Sequence, residues 1–206
     1  EKVSRECIMS DEVDVIVDVV DASSLERNLY LTLQLIELGK PVVLALNMMD
    51  IVEERGMEID LHRLPEMLGI PAIPVSARKR SGLGLLMHAV AHHKEYVLPG
   101  PFIHHHPDKT EHRHDHHSEY AMVYDDEIED KIDAVMEQFH EKYPDMDNMR
   151  WHAIKTLEQD ESVMKQYPVD LNGIADRSYE KDIINEKYDF IEEVIGEVLV
   201  NKSQKA

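Results

Sequence analysis

A chain of 206 residues with 43% apolar side chains carries enough material for one large core or two small ones. Its net charge of −20 excludes nucleic acid or an anionic membrane as a ligand, because both demand a basic footprint. The charge is uneven, −6 over residues 1–100 and −14 over the remainder, which favours two units.

Val13 to Val20 is β-branched and nearly continuous, as expected of a strand buried on both faces. Asp21-Ala-Ser-Ser then leads into a helix over Leu25 to Leu38. Ser23 or Ser24 is its expected N-cap, and Leu31, Leu35 and Leu38 its expected apolar face. Gly39 ends it as a C′ glycine. A second strand, 42–46, is followed by a polar loop and a short helix near Leu61 to Leu68 closed by Gly69. Ile70 to Val75 reads as a third strand. Pro71 and Pro74 put it at a sheet edge or in irregular pairs, since proline removes a ladder donor. Leu83 to Val97 reads as a helix. The alternation predicts an α/β unit with a parallel sheet.

Pro99-Gly100-Pro101 and a histidine-dense stretch break this pattern, giving expected bounds of 1–98 for the first unit and 99–118 for a linker or loop. An acidic all-α unit is expected over 119–201. Ile128, Ile132, Val135 and Phe139 form one helical stripe, and Ile184, Tyr188, Ile191, Ile195 and Val198 another. Met149 to Leu157 and Ser162 to Tyr167 read as shorter helices. Trp151, the sole tryptophan, is expected in the core. Asp125, Asp126, Glu127, Glu129 and Asp130 read as the solvated start of a helix, where the dipole favours negative charge. Cys7, the only cysteine, excludes an internal disulfide, fits a reducing cytosolic setting and reads as a small buried hydrophobe. No apolar run approaches the ~20 residues that cross a bilayer, and no signal peptide opens the chain, so a soluble polypeptide is expected.

The chemistry concentrates at Asn47 and Asp50, where the second strand ends. A carboxylate accepts two parallel hydrogen bonds, and guanine offers that donor pair in its ring N–H and exocyclic amine. Adenine has no matching pair on that edge. Ser76-Ala77-Arg78 follows the third strand, at the same end of the sheet. Backbone N–H groups there can donate to the guanine 6-oxo group. Ala77 lets the backbone approach the ring, Ser76 can brace the loop, and Met48 can lie against the base face. Either segment alone reads as an ordinary turn. Together, at the carboxyl ends of parallel strands, they favour guanine recognition.

Asp21-Ala-Ser-Ser-Leu-Glu-Arg-Asn-Leu-Tyr-Leu, Pro41 to Asp50 with its Asn-Met-Met-Asp form, and Ser76-Ala-Arg-Lys closely resemble the cytosolic G domain of the bacterial ferrous-iron transporter B (FeoB) family. The resemblance covers residues 1–98 in detail and the acidic helical part more loosely. It implies GTP or GDP binding, with Asn47 and Asp50 as the base-specificity pair and Ser76 with Ala77 beside them. It also implies GTP hydrolysis coupled to Fe(II) uptake, a membrane permease domain as partner, and a place on the cytoplasmic face of the cell membrane. The family's phosphate loop, switch threonine and Asp-x-x-Gly have no counterpart in these 206 residues. The chain is therefore expected to be a fragment or a remnant, with an open sheet edge, no catalytic residue and no ligand set for Mg²⁺.

His104, His105, His106, His112, His114, His116 and His117 are candidate ligands for Zn²⁺, Ni²⁺ or Fe²⁺. A solvated loop with incidental metal affinity is the weightier reading. A non-enzymatic, metal-responsive interaction module built on this stretch is the alternative function.

Overall fold

The computed structural model describes residues 2–94 and 122–202. In chain order the elements are α1 (Lys2–Ile8), β1 (Ile16–Asp21), a 3₁₀ turn (Ala22–Ser24), α2 (Leu25–Glu37), β2 (Val42–Asn47), α3 (Met49–Glu54), β3 (Met57–Ile59), α4 (Arg63–Leu68), β4 (Ala72–Pro74) and α5 (Leu83–Ala91). Then come α6 (Asp126–Lys142), α7 (Met149–Leu157), α8 (Glu161–Gln166), α9 (Glu180–Val198) and β5 (Leu199–Asn201). The chain divides into two compact units, Glu1–Phe102 with Asp189–Ala206, and Ile103–Tyr188.

In the first unit β1, β2 and β4 form a parallel sheet in that order, as the alternation predicts. Register pairs Asp21 with Asn47, so β1 and β2 end level with each other. β4 lies at an edge, where the missing donors of Pro71 and Pro74 cost least. β2 is buried from Val42 to Leu46. α5 covers one face of β2 and β4, packing Ala89, Leu86 and Val90 on Val43, Ala45, Ile73 and Val75.

β1 differs from expectation. Val17 and Val19 are 39% and 64% exposed, so the strand is buried on one face only, and among the described residues its outer edge has no partner strand. α2 also sits in a different register from its leucine spacing. Leu25, Leu29, Thr32 and Leu33 are buried, while Leu31 is 54% exposed. The reason is a buried polar pair. Thr32 Oγ1 donates to Asp18 Oδ2 at 2.6 Å, turning a hydroxyl inward and a leucine outward. Burial pushes the Asp18 carboxyl above its ordinary value, and the Thr32 bond partly offsets this. Ser24 occupies the N-cap of α2 without a side-chain bond. Asp21 caps the preceding turn instead, accepting from the Ser23 N–H and hydroxyl at 2.8 and 2.6 Å.

The loop read as polar between the second strand and Leu61 contains α3 and β3. β3 pairs antiparallel with β5, and Asp60 N–H donates to Val198 O. By compactness the final residues, Asp189–Ala206, group with the first unit. α5 ends at Ala91, before the expected Val97, with a turn at residues 92–94. Cys7 is exposed, contrary to the buried reading, because α1 lies outside the sheet and offers no core to pack it.

In the second unit Ile128, Ile132, Val135 and Phe139 are buried on α6, as their spacing predicts, and Trp151 is buried on α7. Tyr143, His152 and Tyr167 meet edge to face, with ring centroids about 5.2 Å apart. Asp125 caps α6 by accepting from Ile128 N–H at 2.9 Å. Glu129 is not solvated as expected. It is 1% exposed, accepts from Arg150 Nη1 and Nη2 at 2.7 Å each, and also accepts from Tyr124 N–H at 2.9 Å. On α9 the buried face is Ile183, Lys187, Ile191, Val194 and Val198. Ile191 and Val198 are buried as their spacing predicts, whereas Tyr188 is 54% exposed and Ile184 and Ile195 are only half-buried, Ile183, Lys187 and Val194 taking their places. A lysine at a core position hides the true stripe from any reading of apolar spacing.

Half-buried Glu186 accepts from Asp125 N–H at 2.8 Å. Burial raises its pKa from 4.5 to about 8, partly opposed by the Asp125 backbone bond and reinforced by the Asp125 charge. Between the ordinary carboxyl pKa and about 8 the folded chain binds the proton that the unfolded chain has released. Stability must therefore fall as pH rises through that window and level off above it. Urea titrations followed by Trp151 fluorescence should show this fall, and Glu186→Gln should flatten it. An unchanged pH slope in the variant would assign the fall to another group.

Candidate functional site

The carboxyl ends of β2 and β4 bring together both segments singled out by sequence. Asn47 is the last residue of β2 and half-buried. Met48 follows in the left-handed region, φ 61° and ψ 31°, and stands at the N-cap of α3. This one-residue reversal starts the helix at once, placing Asp50 in its first turn. There the amide dipoles favour an anionic carboxylate. Left-handed backbone costs a non-glycine residue on the order of 1–3 kcal/mol and recurs where function over-determines geometry. The Met48 side chain is 44% exposed. Among the described residues the Asp50 carboxylate makes no hydrogen bond or ion pair, so its oxygens remain available as acceptors.

β4 is prolonged by Val75 N–H donating to Leu46 O at 2.8 Å. The chain then closes a small loop. Ser76 and Ser81 exchange both backbone bonds, at 3.1 and 3.2 Å. Ser76 is buried, and its Oγ accepts from Lys79 N–H at 3.2 Å, which braces the loop as its sequence position suggests. Ala77 is exposed at the tip. Its N–H donates to Asn47 Oδ1 at 3.2 Å. The two segments, 30 residues apart in sequence, are thus joined by one hydrogen bond. Arg78, Lys79 and Arg80, the only run of three basic residues in the chain, are exposed on the same loop.

Three contributors escaped the sequence reading. Ser81 closes the loop, Gly82 turns it into α5 with φ 77°, and Arg55 Nη1 donates to Ser23 O at 3.1 Å beside the ends of β1 and β2. The available signal was a glycine directly after a polar run and before Leu83. Glycine at such a junction marks positive φ.

A cavity of about 310 Å³ lies at the opposite, amino ends of β2 and β4, lined by Lys40, Pro41, Val42, Ile70, Pro71 and His93 among others. Open α/β sheets bind ligands outside the carboxyl ends of their strands, which favours the Asn47 side. His104 to His117 lie outside the described residues. Among the described residues no group of three or more His, Cys, Asp or Glu is arranged to hold a metal. No described helix is long and apolar enough to cross a membrane.

Comparison with known proteins bears on the family and the fold. Residues 1–90 match the family model described as ferrous iron transport protein B, and residues 124–200 match the FeoB cytosolic helical domain. A crystal structure of a point mutant of S. thermophilus NFeoB bound to GDP superposes with a TM-score of 0.77 at 33% identity, covering 97% of this chain and 74% of that one. The chain belongs to the FeoB family. The cytosolic domain of L. pneumophila FeoB aligns at a TM-score of 0.73 and 27% identity, over 97% of this chain and 73% of that one. The Fe(2+) transporter FeoB of Legionella pneumophila (strain Paris) is 46% identical over 99 residues, 48% of this chain and 13% of that protein. The matched stretch is thus a small part of this curated FeoB transporter. A G-domain sheet followed by the FeoB helical domain is the architecture of this chain.

Proposed function

We propose that this chain reads guanine for a GTP-dependent Fe(II) transporter, with Asn47, Met48, Asp50, Ser76 and Ala77 forming the base pocket. The observation that carries the reading is the Ala77 N–H to Asn47 Oδ1 bond, which holds the two base-reading segments as one unit. Asp50 would accept from the guanine ring N–H and exocyclic amine, and a backbone N–H of the 76–78 turn would meet the 6-oxo group. Met48 would lie against the base face. S. thermophilus NFeoB structures with GDP and with mGMPPNP support a guanine nucleotide as the ligand. Hydrolysis coupled to Fe(II) uptake, a permease domain as partner and a place at the cytoplasmic face of the membrane follow from the same reading. No residue here is assigned to phosphate, Mg²⁺ or the attacking water.

The test exchanges the base. Asn at position 50 would present an amide where guanine needs two acceptors, whereas the 2-oxo group of xanthine accepts from that amide. Titration of the full-length protein with labelled GDP and xanthosine diphosphate should show Asp50→Asn preferring the latter. An unaltered preference would sink the assignment.

A further inference from the structure

Gly82 holds a left-handed backbone, φ 77°, where the base-side loop enters α5. A Cβ added there would lie 2.2 Å from the Pro74 carbonyl oxygen and 3.1 Å from Val75 Cα. Both neighbours are backbone, so neither can swing aside. Any side chain would have to push the end of β4 away from the start of α5, and it would also meet the intrinsic penalty of positive φ.

That junction bounds the loop. Immediately before it, Ser81 exchanges two backbone bonds with Ser76. Immediately after Ser76, Ala77 donates to Asn47. Val75, one of the two residues that the added Cβ would strike, is itself tied to Leu46 by a 2.8 Å bond, next to Asn47. The close approach of Gly82 to Pro74 therefore sits at the base of a short chain of contacts ending on the Asn47 side chain. We infer that Gly82 is a positioning residue for the base pocket: its missing side chain lets α5 start against β4, which closes the 76–81 loop and seats Ala77 N–H on Asn47. This inference rests on the guanine-reading assignment only for its functional consequence.

Two other glycines separate the causes. Gly56 also has positive φ, 70°, but an added Cβ there meets nothing within 4 Å. Gly84 lies in α5 with no positive φ and open space around it. Gly56→Ala therefore carries backbone strain without the clash, and Gly84→Ala carries neither.

The experiment is amide hydrogen exchange of this chain by NMR, read at Ala77, together with GDP release from the full-length protein. Gly82→Ala should speed Ala77 exchange about tenfold or more relative to wild type. Gly56→Ala and Gly84→Ala should leave it within about twofold. GDP release should quicken in parallel for Gly82→Ala alone. Ala77 exchange unchanged in a folded Gly82→Ala chain would overturn the inference, as would equal acceleration by Gly56→Ala. If Gly82→Ala does not fold, Ser81→Pro removes one of the two bridge bonds without touching the Pro74 contact and must accelerate Ala77 exchange in its place. A full-length protein that fails to bind GDP would end the functional proposal, while Ala77 exchange would still decide the role of Gly82.

Discussion

Arg150→Ala is expected to destabilise the helical unit by about 3–5 kcal/mol, a large share of the ~5–15 kcal/mol that holds an ordinary domain folded. Glu129 is 1% exposed, and both its oxygens accept from the Arg150 guanidinium at 2.7 Å. Without Arg150 a carboxylate remains in the core with, among the described residues, only the Tyr124 N–H to satisfy it. Most of the loss is the stranded charge, not the forfeited attraction. The companion experiment replaces both partners. Glu129→Leu with Arg150→Met should recover most of the stability, because the desolvation penalty disappears with the charges. Trp151 lies one residue from Arg150 and is the only tryptophan, so its fluorescence in urea reports on this unit. A loss below about 1 kcal/mol in the single variant would mean that the pair is solvated in solution.

Asp50→Ala is expected to weaken guanine-nucleotide binding by about 100- to 10,000-fold. Two hydrogen bonds to a charged acceptor are lost, each contributing about 1.5–3 kcal/mol. The carboxylate makes no competing bond among the described residues, so the fold loses little by its removal. Titration of labelled GDP into the full-length variant, with urea unfolding as control, separates binding from stability. Unchanged GDP affinity would remove Asp50 from the pocket.

Much of the fold is written in local spacing. α6 follows its apolar period, α7 forms over the expected Met149–Leu157, and Gly69 ends α4 in the left-handed conformation that its identity predicts. Long-range pairing is where local reading fails. Three-residue strands such as β3 and β5 carry too little pattern to announce a partner so distant in sequence. Thr32 and Lys187 defeat the helix registers of α2 and α9 for a different reason. Their burial depends on partners or packing that hydropathy does not encode. Glu129 belongs with them, since an acidic run near a helix start reads as solvated until Arg150 is placed beside it. The convergence of the two strand-end segments was more legible than the core. Strand ends collect ligands, so Asn47 and Ala77 could be brought together before any contact was known. The closure at Ser81 and Gly82 was not legible, because it depends on how closely one backbone passes another.

The pairing of β3 with β5 also sets an order of events in time. Arg63, just beyond β3, and Glu197, just before β5, meet across 134 positions of sequence. At 5–20 residues per second, a ribosome takes on the order of ten seconds to make that intervening length. Throughout that interval the β3 backbone has no β5 to zip against. Within the first unit this pair therefore closes late, and a nascent chain stalled before residue 199 would carry β3 as an open strand.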